Sequence, residues 1–290
     1  MILVVFLHSY NITVSFNSGN LLFNKGYNFI IQNFFYQGIT RVAVPMFFII
    51  SGYLFFIKLK GNTSEFVLKY KKRTKSLLIP YLFWSVWSLL FLLILQIFPI
   101  SKNFFTNELI VNYSSTKLLN TIFLNPIAYQ LWFIRDLIVI VLFSPIIYWF
   151  IVHLRFIPLL LLFIIWVGFF NFNFYIFSNE SIFFFCLGAY LAIAKSNLLL
   201  QTRFRKHYWI YALLWIIFVS SEVILIYFHP ECSKTTTILH KIGILTGITT
   251  IWSSYDFFKI NKNYHCKILF NLASFSFFLY AFHEPLLTII

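Results

Sequence analysis

The chain reads as an all-α protein, a polytopic transmembrane helical bundle, and three observations predict it. Hydrophobic residues make up 60% of the 290 and charged residues only 10%, at a mean hydropathy of +0.84. A soluble domain of this length cannot hide so much apolar surface. The apolar residues also fall into segments of about twenty, the length that crosses a hydrocarbon core of about 30 Å. Finally, fifteen of the 22 Lys and Arg gather in the connections on one side.

Charge or turn residues bound each segment, which gives about nine spanning segments, the first of them incomplete. Segment 1 covers 1–8 and stops at His8-Ser9-Tyr10-Asn11. Segment 2 covers 38–57, from Gly38 to the residue before Lys58, and segment 3 covers 77–98, between Lys75 and Pro99. Segment 4 covers 130–151, ahead of His153 and Arg155. Segments 5 and 6 cover 157–173 and 180–195, segment 7 covers 208–228, segment 8 covers 239–258, and segment 9 covers 268–290. Connections are short except for 9–37 and 99–129. No extramembrane stretch is long enough for a second domain, so 1–290 is one transmembrane domain. Met1 opens inside an apolar run and Ile290 ends inside another, so the domain is expected to be truncated at both ends.

Orientation follows from the basic residues. With segment 1 running outward, the connections 58–76, 153–156, 195–207 and 259–267 fall on one side and hold fifteen Lys and Arg. The opposite side holds five: Lys25, Lys102, Lys117, Lys234 and Lys241. The first side is therefore cytoplasmic. The net charge of +14 reflects topology, and no nucleic-acid partner is expected. No His/Cys cluster has metal-ligand spacing, so no metal site is expected either.

Ionisable residues inside apolar segments are costly, about 2.5–3.5 kcal/mol each at a helix centre, so each is a candidate for function. His8 lies near the outer end of segment 1, and Arg41 opens segment 2 from outside. Arg135 and Asp136 lie early in segment 4, and Glu222 lies two-thirds of the way out along segment 7. His283 and Glu284 fall in the outer half of segment 9; Asp256, at the inner end of segment 8, departs from the pattern. Convergence at one depth predicts a polar chamber opening outward. Helical spacing predicts inward stripes of Arg41, Pro45, Phe48 and Gly52; of Trp132, Arg135 or Asp136, Val139 and Phe143; and of Ser276, Tyr280, His283 and Leu287.

Four stretches, in order, are Val44-Pro-Met-Phe-Phe-Ile-Ile-Ser-Gly-Tyr53, Leu78-Ile-Pro-Tyr-Leu-Phe-Trp84, Leu131-Trp-Phe-Ile-Arg-Asp136 and Ser274-Phe-Ser-Phe-Phe-Leu-Tyr-Ala-Phe-His283. Together with Val4-Val-Phe-Leu-His8 they resemble acyltransferase family 3, the integral-membrane O-acyltransferases, over nearly the whole chain. The resemblance implies ten spanning helices and transfer of an acyl group, usually acetyl, from cytoplasmic acyl-CoA to a hydroxyl of a cell-surface glycan or its lipid-linked precursor. It departs in two places: the arginine that usually precedes the histidine by three turns, and a tenth helix, have no counterpart here. By resemblance the protein belongs in a bacterial plasma membrane, with acyl-CoA as donor substrate and no permanently bound cofactor.

His8, with an ordinary pKa near 6.5, is then the expected catalytic base for the acceptor hydroxyl. Arg41, Trp132, Arg135, Asp136, Glu222, Tyr280, His283 and Glu284 are expected to bind substrate, orient it or stabilise the oxyanion. Lys71, Lys72, Arg73 and Lys75 are expected to hold the phosphates of CoA. A glycan or lipid transporter, or a non-catalytic membrane partner in surface-glycan assembly, are the alternatives that the polar chamber also allows.

Overall fold

The computed structural model describes residues 2–7, 13–16, 19–22, 26–98, 105, 108–168, 177–194, 207–262, 275, 280 and 282. Among these the regular structure is helical except for one antiparallel hairpin, β1 (Thr13–Phe16) and β2 (Gly19–Leu22), within the 9–37 connection. Helix α1 (Ile2–Leu7) packs along residues 34–42, with Val4 buried.

The second spanning helix starts eleven residues earlier than the expected 38. It runs from Tyr27 to Phe56 through α2 (Tyr27–Asn33), a π-helical turn (Phe34–Ile39), a 3-10 turn (Thr40–Val42) and α3 (Ala43–Phe56). Local chemistry explains the widened turn. The Thr40 hydroxyl donates to the carbonyls of Phe35 and Tyr36, at 2.9 and 3.0 Å, which the π geometry leaves loosely held. Pro45 follows at the third position of α3 and removes one further N–H from the ladder.

The third helix is also longer than expected. α4 (Thr63–Arg73), a π turn (Thr74–Leu78) and α5 (Ile79–Ile97) form one 35-residue rod, about 52 Å long at 1.5 Å per residue. The α4 portion is too polar to span but is well made for a helix. Glu65 occupies its first turn, and Lys71, Lys72 and Arg73 its last, matching the helix dipole at both ends.

After α5 the chain turns back. Gln96 Oε1 accepts from the Ile110 amide at 2.8 Å, near the end of α5. Helix α6 (Ser115–Phe123), capped by Ser114, then descends beside it. Ser85 Oγ donates to the Ile122 carbonyl at 2.8 Å, and the Tyr81 hydroxyl to the Phe123 carbonyl at 2.9 Å. From Gln96 to Tyr81 is about 22 Å along the helix. The 99–129 connection, expected to form an outer loop, therefore re-enters the bundle.

The expected fourth span breaks at Phe143 into α7 (Trp132–Leu142) and α8 (Ser144–Leu154), which meet at 62°, with Pro145 in the first turn of α8. α9 (Ile157–Val167) and α10 (Asn179–Ile193) are shorter than the segments predicted there. α11 (Tyr208–Phe228) has the expected bounds, and α12 (Ser233–Lys262) begins six residues before 239. Only Phe275, Tyr280 and Phe282 of segment 9 fall within the described residues.

The centre of the bundle is the crossing of α3 and α10, where the two backbones touch. A Cβ on Gly52 would sit 2.2 Å from the Phe185 carbonyl oxygen, and one on Gly188 would sit 2.0 Å from that of Ile49. Small residues permit this approach, the usual means of tight packing between helices in lipid. Phe48, Phe55, Phe56, Phe184 and Phe185 fill the space around it, each at most 1% exposed.

Candidate functional site

Arg135 and Asp136 form one unit at the start of α7. Asp136 is buried, and both of its oxygens are used. Oδ1 accepts from Arg135 Nη2 at 2.9 Å and Nε at 3.2 Å. Oδ2 accepts from the Ser178 amide and the Ser181 hydroxyl, both at 3.0 Å. Ser178 is the N-cap of α10, so the carboxylate also lies at the positive end of that helix. Four donors hold the charge, so each carboxylate oxygen accepts two hydrogen bonds. Arg135 Nη1 donates to the Leu124 carbonyl at 2.7 Å on the re-entrant segment. Two of the five guanidinium N–H groups have no hydrogen-bond partner among the described residues, and the side chain is 18% exposed.

The buried face of α7 is one residue out of phase with the expected stripe. Phe133, Asp136, Leu137 and Ile140 face the core, whereas Trp132 and Val139 are half-buried and Phe143 is exposed. Tyr280, fully buried, donates to the Gln130 carbonyl, and its ring lies 4.9 Å from that of Phe133. Tyr280 therefore packs against the start of α7, on residues next to the Arg135–Asp136 unit in sequence but without a hydrogen bond to either of that pair among the described residues. Trp132 packs edge-on to Phe133 at 6.3 Å.

Depth is where the sequence expectation fails. Tyr81 and Arg135 bond consecutive carbonyls, Phe123 and Leu124, so they lie at one level. Tyr81 is only four residues past Leu77, where segment 3 begins. The Arg135–Asp136 unit thus lies at the level of the Leu77 end of that segment, about 12 Å of helix from Arg73, and not at its far end as expected.

The basic cluster occupies the adjoining end of α4. Lys71, Lys72 and Lys75 are exposed and Arg73 is half-buried. The Arg73 guanidinium and the Lys69 amine lie 6.0 and 5.8 Å from the Phe55 ring, and Lys69 also donates to the Leu54 carbonyl at 3.2 Å. Burial pushes the Lys69 amine below its usual pKa, the Arg73 and Lys72 charges push it further, and Glu65 offsets part of this. Burial likewise lowers that of Arg73. Like charges crowded in this way favour an anion.

Arg41 and Glu222 belong elsewhere. The Arg41 guanidinium lies 4.4 Å over the Tyr36 ring, and its buried Nε has no hydrogen-bond partner among the described residues. Glu222, 3% exposed, pairs through Oε1 with His240 Nδ1 at 3.0 Å. His240, Arg41 and Lys241 all lie within electrostatic reach of Glu180, which accepts from the Trp166 indole at 3.4 Å. His8, His283 and Glu284 lie outside the described residues.

Sequence reasoning missed Tyr81, Ser178, Ser181, Glu180 and His240. The run Ser178-Asn-Glu-Ser181 carries a helix-start signature that could have pointed to a buried N-terminus. His240 looks like an edge residue only if the helix starts at 239; it starts at Ser233, which puts His240 well inside it.

Comparison with protein-family profiles matches the acyltransferase domain of acyltransferase family 3 over residues 1–290. The chain belongs to that family and is a membrane acyltransferase. No curated protein and no solved structure matches it.

Proposed function

We propose that the chain is an O-acyltransferase of a bacterial plasma membrane, which carries an acyl group, acetyl by family habit, from cytoplasmic acyl-CoA to a hydroxyl of a surface polysaccharide or its lipid-linked precursor. One observation carries this reading: a crowded cationic cluster at the end of α4 stands about 12 Å of helix from Tyr81, which lies at the level of the half-buried Arg135 guanidinium with N–H groups to spare. Lys71, Lys72, Arg73 and Lys75 hold the 3′-phosphate and pyrophosphate, and the pantetheine arm runs inward past Tyr81. Arg135, oriented by Asp136, donates to the oxyanion that develops on the thioester carbonyl. His8 takes the proton of the acceptor hydroxyl as its oxygen bonds to the acyl carbon. The C–S bond breaks, and the departing CoA thiolate takes up a proton.

Replacing Lys71, Lys72, Arg73 and Lys75 with Gln tests the donor half. Each lost phosphate contact weakens binding by roughly 1–3 kcal/mol, less where solvent screens it. The KM for acetyl-CoA is expected to rise far more than that for the acceptor. A wild-type protein that shows no CoA binding by calorimetry at millimolar ligand, or that moves glycan without consuming thioester, overturns the reading and leaves a transporter in its place.

A further inference from the structure

The rod formed by α4, the π turn and α5 carries a row of exposed side chains along one side. Within α5 the row is Ile79, Phe83, Leu90, Ile94 and Ile97, all apolar and at helical spacing. From Ile79 to Ile97 is about 27 Å, close to a hydrocarbon thickness of about 30 Å. This row is therefore the lipid-facing side of the helix, and it fixes the depth of the rod. Continued past Ile79 at the same spacing, it meets Lys75 and then Lys72, both exposed. They lie about 6 and 10 Å of helix beyond the apolar end. The headgroup layer is roughly 5–8 Å thick on each side, and a lysine stem is long enough to bring its amine back to it. The opposite face of the same turns points into the protein. Arg73 and Lys69 lie over the Phe55 ring, and the Tyr70 hydroxyl donates to the Leu142 carbonyl at 3.2 Å. The cationic cluster is thus divided between a face toward protein and a face toward lipid.

Charge selects the headgroup. Neither Lys72 nor Lys75 has a carboxylate partner among the described residues, and Glu65, the acid of α4, accepts from the Lys60 amide at 2.7 Å. The two lysines are three residues apart, so their amines can meet on one phosphate. A phosphatidylcholine head would bring a third cation there, whereas a headgroup of net negative charge brings none. We propose that Lys72 and Lys75 hold the phosphate of an anionic phospholipid in the adjoining leaflet, and that CoA must displace it to gain those two charges. Lipid binding stands by itself; the competition rests on the acyltransferase reading. Arg73 and Lys69 face inward and are not shared with lipid, so the leaflet's composition tunes donor affinity without closing the donor site.

The test uses the full chain in detergent, titrated with dioleoyl phosphatidylglycerol or dioleoyl phosphatidylcholine and read by native mass spectrometry. Phosphatidylglycerol is expected to bind at least fivefold more tightly. The double variant Lys72→Gln/Lys75→Gln is expected to lose that preference, and Lys60→Gln, off the row, to keep it. Should the double variant fail to assemble, each single variant is expected to lose at least half of the preference. Equal binding of the two lipids, variants that keep the preference, or displacement of the lipid by equimolar inorganic phosphate overturns the proposal. Calorimetry in nanodiscs tests the competition. When phosphatidylglycerol replaces phosphatidylcholine, acetyl-CoA binding to the wild type is expected to weaken by a factor at least three times that of the double variant. Equal factors mean general repulsion by an anionic surface and overturn the competition. A wild type that prefers phosphatidylglycerol but binds no acetyl-CoA keeps the lipid site and sinks the acyltransferase reading. One that binds acetyl-CoA without any lipid preference sinks only this inference.

Discussion

At the residue scale, the Arg135–Asp136 pair decides most. A lysine at 135 keeps the charge but loses the planar fork that joins Asp136 to the Leu124 carbonyl. Arg135→Lys is therefore expected to cut acyl transfer with little change in donor KM, measured by steady-state kinetics. Asp136→Asn is a different kind of change. It leaves a half-buried guanidinium without its counter-charge, a loss below the roughly 3–5 kcal/mol of fully buried pairs. It is expected to lower the melting temperature before any effect on chemistry can be read. On the role proposed for His8 as base, His8→Ala is expected to abolish transfer while membrane abundance stays near wild type. Lys69 supplies a test through pH. Its lowered pKa means that the charged amine disfavours the folded state; that penalty is present below the lowered pKa and fades as pH rises toward the ordinary lysine range. Bound CoA phosphates would restore a partner for the charge. NMR of the methylated lysine amine is thus expected to show the Lys69 titration moving to higher pH when CoA is added, and no movement would argue against phosphates in this cluster.

At the element scale, the α3–α10 crossing is the least tolerant place in the bundle. A methyl group on Gly52 or Gly188 meets a carbonyl oxygen of the opposite backbone, which has no rotamer with which to retreat. Gly52→Ala and Gly188→Ala are each expected to cost about 1–3 kcal/mol or more, read as lost thermal stability of the purified protein. Gly243→Ala is the control, since the nearest atom to its added methyl is 3.8 Å away. The sequence made half of this legible. Gly52 falls on the stripe with Arg41, Pro45 and Phe48, but nothing near Gly188 points to a partner so distant along the chain. The α7 stripe had the right period and the wrong phase. Arg135 and Asp136 are neighbours 100° apart on a helix, and only the contact with Ser178 and Ser181 decides which faces inward.

At the scale of the whole molecule, the distribution of charge predicts an orientation, and one exposed ion pair adds to that expectation. Glu108 and Lys117 form an ion pair whose side chains are 48% and 42% exposed, on a segment running beside α5. Exposed charges of this kind face water rather than lipid, so this part of the segment is expected at the aqueous boundary. A cysteine at Lys117 is expected to react with an impermeant maleimide in intact cells, and one at Lys60 only after permeabilisation. Labelling at Lys60 alone would reverse the orientation. The helical bundle was legible because hydropathy acts over whole segments. The re-entry was not, because 108–124 is too short and too polar to register as a span, and its depth is set by single hydrogen bonds to Gln96, Ser85 and Tyr81.

The buried start of α10 has a consequence for how the protein is made. Its 15 residues reach about 22 Å, short of a hydrocarbon core of about 30 Å, and they open on Asn179 and Glu180. Such a segment partitions poorly from the insertion machinery into lipid when it emerges alone. Asp136 is synthesised 42 residues before Ser178, so the carboxylate is already in the membrane when this helix arrives and offers its first amide a partner. Insertion of α10 is thereby coupled to an earlier part of the nascent chain. Ribosomes stalled before residue 180 would hold an Asp136 whose second oxygen still awaits its donors.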